Sequence, residues 1–249
     1  MTHLPPPPPV EGATYSSPQM FERRRRILRE ARKLLVERGL EGFSFRELCE
    51  RAGVAQRTIY NAFGGKERVM AAAITQYYLH FIGLIGHSQI ADTLDGVLER
   101  LIRVHVRNVD IKNYVKAVVA LYYSPTADPE IRGAMRQIGV DGMTPWLSRL
   151  KESGKLKRGV DPGELIDNLT NVQYMILAGW ILGEITDDRF VFRMVEALLL
   201  MTSGAVRGKA LIEVNARLED MHGERVWFDG TVESARAALL AAGIGRGRG

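Results

Sequence analysis

An all-α fold follows from three features of this sequence. Apolar residues recur at helical spacing from about residue 21 onward. No stretch of any length alternates as a strand does, and Gly-, Pro- and Asp-containing breaks such as "SPTADPE" at 124–130 and "SGKLKRGVDPGE" at 153–164 cut the pattern into helix-sized pieces. With 249 residues, 46% of them apolar, the chain is long enough for a sizeable core, in one large domain or two smaller ones.

The elements follow in order. Residues 1–20, with Pro5 to Pro9, are predicted to be a disordered Pro-rich arm. A first helix over 21–38 carries the stripe Ile27, Leu28, Ala31, Leu34 and Leu35, with the block Arg23–Arg26 before it and Gly39 after it. Ser44 caps a second helix over 45–52, and Glu47 completes the pattern of a capping box. Its buried face is Phe45, Leu48, Cys49 and Ala52. Gly53 supplies a sharp turn. A short third helix over 55–63 turns Val54, Ile59 and Phe63 inward, leaves Gln56, Arg57, Thr58, Tyr60 and Asn61 outside, and ends at Gly64-Gly65. A fourth helix is expected from Lys66 to about His87, with further helices at 92–109, 112–123, 130–152, 162–184, 188–204, 207–221 and 231–242. The tail 243–249, "GIGRGRG" with its preceding alanine removed to the helix, is predicted to be disordered.

Charge is concentrated at one end. Residues 1–76 hold 13 Lys/Arg against 8 Asp/Glu, and residues 77–249 hold 21 against 21, so the whole net charge of +5 lies in the first third. That asymmetry points to a polyanion partner, nucleic acid or an anionic membrane, unless it is only a solvated basic face. Two short helices joined by a glycine turn, the second with a polar outer face, have the form of a helix-turn-helix, whose second helix lies in the major groove of duplex DNA. Arg57 and Gln56 match the two-point edges of guanine and adenine. Thr58 suits a thymine methyl or a phosphate, Asn61 shares the same face, and Tyr60 and Lys66 suit phosphates. Ser44 and Arg46 open the helix that crosses the backbone, and Arg24 stands in the basic block that adds a salt-dependent term.

The segment "FSFRELCERAGVAQRTIYNAFGGKERVM" resembles the DNA-binding segment of the TetR (tetracycline-repressor-like) family of bacterial regulators. The resemblance covers about residues 22–70 and rests on Ser44, Ala52-Gly53-Val54, Tyr60, Phe63 and Lys66-Glu67. Ala55 stands where the family often has a serine cap, and Ala62 where an aromatic or histidine is common. The arm and the chain beyond about residue 208 are longer than usual. The resemblance implies a DNA-binding domain at 21–66 followed by a helical ligand-binding and dimerisation domain at 67–242. It further implies a homodimer paired through the helices at 162–184 and 188–204, a palindromic operator in double-stranded DNA, and release by a small-molecule inducer. The residues themselves show only two strongly apolar helices there. Leu165, Leu169, Val172 and Ile176 form one stripe, and Leu198, Leu199, Met201 and the 191–195 segment form another, which a subunit core explains as well as a dimer does.

For the inducer, Phe81, His105, Tyr122, Trp146, Gln173 and Leu177 are the candidate pocket residues, aromatic and apolar groups with two polar ones among them. An enzyme is not expected. No nucleophile elbow, zinc-protease motif or phosphate loop is present, and the five histidines form no i, i+4 pair. With Cys49 as the single cysteine, neither a disulfide framework nor a cysteine zinc site is expected, and no cofactor. No apolar leader is visible at the start, and the longest apolar run, "YMILAGWILG", is about half of a bilayer span, so a cytoplasmic protein without a membrane partner is expected. The rival to a regulator is a helical protein- or membrane-interaction module with a non-specific basic N-terminus.

Overall fold

The computed structural model describes residues 18–84, 92–125 and 129–244. Eleven helices account for almost all of them: α1 (Pro18–Arg38), α2 (Phe45–Ala52), α3 (Gln56–Phe63), α4 (Lys66–Leu84), α5 (Leu94–Asp110), α6 (Lys112–Tyr123), α7 (Pro129–Glu152), α8 (Pro162–Leu182), α9 (Asp187–Ala205), α10 (Lys209–His222) and α11 (Val226–Ala241). The one extended pairing among the described residues is an isolated bridge between Leu156 and Val206. The all-α class read from the sequence is therefore observed. The expected continuation of the fourth helix to His87 and the arm up to residue 17 lie outside the described residues, as does the tail 243–249 apart from Gly243 and Ile244, which correct that expectation by bonding back to Leu240 O and Leu239 O at the end of α11. Pro18–Met20 correct the arm's expected boundary. They form the first turn of α1, because proline's fixed φ suits the first helical position, where an N–H has no intrahelical partner.

Each terminus near the N-terminal basic segment has a local cause. Ser44 Oγ accepts from the Glu47 amide at 3.2 Å and so caps α2. The reciprocal half of the expected capping box does not form, because the Glu47 carboxylate turns to Arg51 one helical turn on. Gly53 sits in the left-handed region (φ 60°, ψ 44°), where a side chain would be strained, and its N–H closes the end of α2. α3 starts at Ala55 without a side-chain cap and stops at Gly64, φ 84°, whose N–H reaches Tyr60 O at 2.7 Å.

Ile27, Leu28, Ala31, Leu34 and Leu35 of α1 are buried, as their spacing predicts, and α1 packs on α2, α4 and α6. Beyond this head, α4 lies against α7, α7 against α8, and α9 sits between α5, α8 and α10. A continuous apolar cluster runs from Ile27 to Leu239. The stripes of α8 and α9 named from the sequence belong to this core: Leu165, Leu169, Ile176, Leu198 and Leu199 are all buried within one chain. What those helices leave outside is Met175 (60% exposed) and Leu182 (73%) on α8 and Leu200 (54%) on α9.

The C-terminal helices clasp this body. α11 packs on α5 and α10 on α9. Arg217 makes two bonds to the Asp95 carboxylate (2.9 and 2.8 Å) and lies over the Trp227 ring. α11 begins five residues before its expected start at 231. Its N-terminus is capped from α10, where the Asp220 carboxylate accepts from the amides of Trp227 (3.0 Å) and Phe228 (3.1 Å). No helix among the described residues is long and apolar enough to cross a membrane.

Candidate nucleic-acid interface and internal cavity

α3 is eight residues long and amphipathic. Ile59 and Phe63, one turn apart, anchor it in the core, and Ile59 is 0% exposed. The opposite face carries Gln56, Arg57, Tyr60 and Asn61, all exposed, with Thr58 half-buried at its edge. Tyr60 makes an edge-on contact with Phe45 of α2, ring centres 5.3 Å apart, and remains half exposed. Gln56, Arg57 and Asn61 have no partner among the described residues. A row of hydrogen-bonding groups held on a rigid helix and left unused by the fold is available for an outside partner.

The surrounding basic residues divide in two. Lys66 is exposed at the first turn of α4, its ammonium 5.8 Å from the Phe43 ring centre, and Arg46 pairs on the surface with Glu50 at 3.2 Å. Arg24 has a second duty that the sequence does not show. Its guanidinium donates to the Ala62 carbonyl at 2.7 Å and stacks over Phe63, and burial there lowers its pKa. It closes the C-terminus of α3 against α1 rather than standing wholly free as a phosphate contact. Arg26 does the same for α2, with Nε donating to Ala52 O at 2.8 Å. The run Arg23–Arg26 is thus part electrostatic and part structural.

The second feature is a cavity of about 90 Å³ lined by residues of α4, α5, α6, α7, α8 and α9. Of the six residues named for a pocket, His105, Gln173 and Leu177 lie on its wall. Phe81, Tyr122 and Trp146 do not, although all three are buried. Phe81 belongs to an aromatic group with Tyr77 and Tyr114. Tyr122 stacks face to face on Tyr174, ring centres 3.6 Å apart, and so stands one layer behind the wall that Tyr174 forms. Helical register decides this: an aromatic residue faces the cavity only if its turn of helix does, and composition carries no register.

A directed chain of hydrogen bonds crosses the cavity wall. Tyr78 of α4 donates its hydroxyl to Asn108 Oδ1 at 2.9 Å, and Asn108 Nδ2 meets His105 Nδ1 at 3.2 Å. His105 accepts there, so its other nitrogen carries the proton, toward Gln173 of α8. Gln173 Nε2 then reaches Met143 Sδ of α7 at 3.8 Å. Burial pushes the His105 pKa down to about 3, only partly opposed by Gln173, so the ring is neutral at ordinary pH. His105 and Gln173 stand out in the sequence, whereas Tyr78, Asn108 and Arg100 are not among the residues it singles out. A signal for two of them was present: Arg100, Val104, His105 and Asn108 fall on one side of α5 at helical spacing, next to the apolar positions Val97 and Leu101.

Residues 27–73 match the family described as "Bacterial regulatory proteins, tetR family". Over 104 residues the chain is 25% identical to the HTH-type transcriptional repressor KstR2 of Mycolicibacterium smegmatis, a match that covers 42% of this chain and half of that repressor's length. Solved structures share the fold. Thermus thermophilus FadR, a TetR-family transcriptional repressor in complex with lauroyl-CoA, superposes with a TM-score of 0.60 at 18% identity, covering 75% of this chain and 97% of that one. TylP, a TetR regulator from Streptomyces fradiae, gives 0.57 at 18% identity, covering 85% and 98%.

Proposed function

We propose that this chain, whose N-terminal segment and fold are those of the TetR family, is a sequence-specific DNA-binding transcriptional regulator and acts as a ligand-responsive repressor. The observation that carries the reading is the outer face of α3, where Gln56, Arg57 and Asn61 are exposed, without side-chain partners among the described residues, and held by a buried Ile59 anchor. In this reading residues 21–66 bind DNA and residues 67–242 bind the ligand and a second copy. Gln56 and Arg57 contact base edges, Thr58 and Asn61 support them, and Ser44, Arg46, Tyr60 and Lys66 meet the phosphate backbone. Arg24 contributes its charge while bracing α3. The excess charge of the first third gives binding a steep salt dependence.

A two-fold operator calls for two heads. The exposed apolar side chains on the outer faces of α8 and α9, Met175, Leu182 and Leu200, support a homodimer through those helices. The inducer occupies the cavity, and a fold neighbour solved with lauroyl-CoA bound supports a fold that accepts a ligand with an apolar acyl chain. α4 joins the two functions. Its first residue, Lys66, flanks α3, and Tyr78, about 18 Å further along the helix, is on the cavity wall. A ligand that favours one seating of α4 lowers DNA affinity by its preference for that state and by no more.

Selection of bound duplexes from a random library at near-physiological salt tests the reading. A palindromic motif is expected, with half-sites about one helical turn apart or a multiple of it. Salt-sensitive binding with no enriched motif overturns it and favours a non-specific basic module instead.

A further inference from the structure

We propose that the cavity takes an apolar molecule with a single anionic oxygen head, an aromatic or short-chain monocarboxylate, and that Arg100 receives the head; the effector role of this site rests on the regulator reading above. The other polar groups of the wall already have partners. Tyr78, Asn108, His105 and Gln173 are consumed by their own chain. The Tyr174 hydroxyl donates to Met135 O at 3.2 Å, and Thr170 donates to Ile166 O at 2.8 Å. Arg100 alone among the wall's charged and polar side chains has neither a hydrogen bond nor an ion pair with the described residues. Asp141, exposed on α7, acts on it only through the longer-range field.

An unpaired guanidinium drawn partly out of water is costly unless something with negative charge meets it. A carboxylate fits its planar fork with two parallel bonds. The wall opposite is shaped for that side chain. Gly142 lies inside α7, where glycine is a poorer helix former than alanine, and a Cβ there would stand 3.1 Å from Arg100 Nε. The missing side chain lets the guanidinium lie against the helix. The rest of the surface is aliphatic or thioether, from Val97, Leu101, Val118, Met135, Leu177 and Leu198. His105 is neutral and already bonded on both sides, so it does not compete for the anion. The volume of about 90 Å³ suits a short chain or, with some yielding of Met135 and Met143, a ring.

Titration calorimetry on the full chain, without DNA, compares hexanoate with 1-hexanol and phenylacetate with 2-phenylethanol. The carboxylate of each pair is expected to bind at least about tenfold more tightly than its alcohol, the size of a charge-assisted bond. Arg100→Gln is expected to remove that preference by weakening the acids alone, and Arg100→Lys to restore part of it. Circular dichroism of each variant separates loss of the site from loss of the fold. Equal binding of acid and alcohol, an undiminished preference in a folded Arg100→Gln, or no binding by either acid overturns the proposal. A carboxylate that binds without loosening a selected duplex defeats the effector role and leaves the site standing. A selected duplex motif with no carboxylate preference defeats the site and leaves the regulator.

Discussion

The outer face of α3 and the wall of the cavity use polar side chains in opposite ways. On α3, Gln56, Arg57 and Asn61 have no side-chain partner among the described residues, and the helix is held from its other side by Ile59 and Phe63. In the cavity, Tyr78, Asn108, His105 and Gln173 satisfy one another across three helices and leave Arg100 as the exception. Water serves exposed groups until a partner replaces it, so a recognition surface can leave its donors idle. A buried wall cannot, because each unpaired group costs about 1–3 kcal/mol. In the proposed reading, selectivity on α3 would therefore reside in several residues, while in the cavity it would fall on Arg100.

The largest test of that contrast removes the anchor beneath the exposed face. Ile59→Ala is expected to cost about 2–5 kcal/mol of stability, because the site is fully enclosed and a cavity is left behind. Urea unfolding measures the loss, and DNA binding should fall with it although no exposed side chain has changed. Stability unaffected would mean that α3 is not held from below.

Next in size is the acid sensitivity of the cavity wall. His105 is kept neutral in the fold with a pKa of about 3, whereas in the unfolded chain it titrates near 6.5. As pH falls below about 6.5 the unfolded state gains a proton that the folded state refuses, so stability is full above that pH and is lost on the way down to 3. The loss is about 2 kcal/mol by pH 5. His105→Gln should flatten the profile of unfolding free energy between pH 6.5 and 5. The same slope in both proteins would place the titrating group elsewhere.

Arg57→Ala should leave stability unchanged and cost about 1–3 kcal/mol of DNA binding, with specificity relaxed at one base position. A uniform loss across all sequences would make Arg57 a phosphate contact. The smallest change sharpens the comparison from the other direction. Ala55 stands at the N-cap of α3 with extended backbone (φ −69°, ψ 150°) and no side-chain bond. Ala55→Ser should stabilise the head by about 1 kcal/mol, seen as a raised unfolding midpoint. No gain would mean that water already serves those amides equally well.

The sequence by itself determined the helices and their faces. Several helix boundaries with a local chemical cause were legible, Ser44 and Gly53 for α2 and Gly64 for α3, whereas the helix expected over 162–184 ends at Leu182, closed by Gly183. The buried stripe of α1 and the outward set of α3 followed from period alone, since burial must follow the turn of the helix. Tertiary structure decided what depends on a neighbour distant in sequence or in register. Arg24 became a brace because Ala62 O comes within reach of α1 only after folding. α11 begins at Val226 because Asp220, on another helix, caps it. Phe81, Tyr122 and Trp146 stand behind the cavity rather than on it, while Arg100 and Tyr78 stand on its wall. A single sequence gives each helix its inner face, but a cavity is made where several inner faces fail to fill the space between them, and that shortfall exists only in the assembled core.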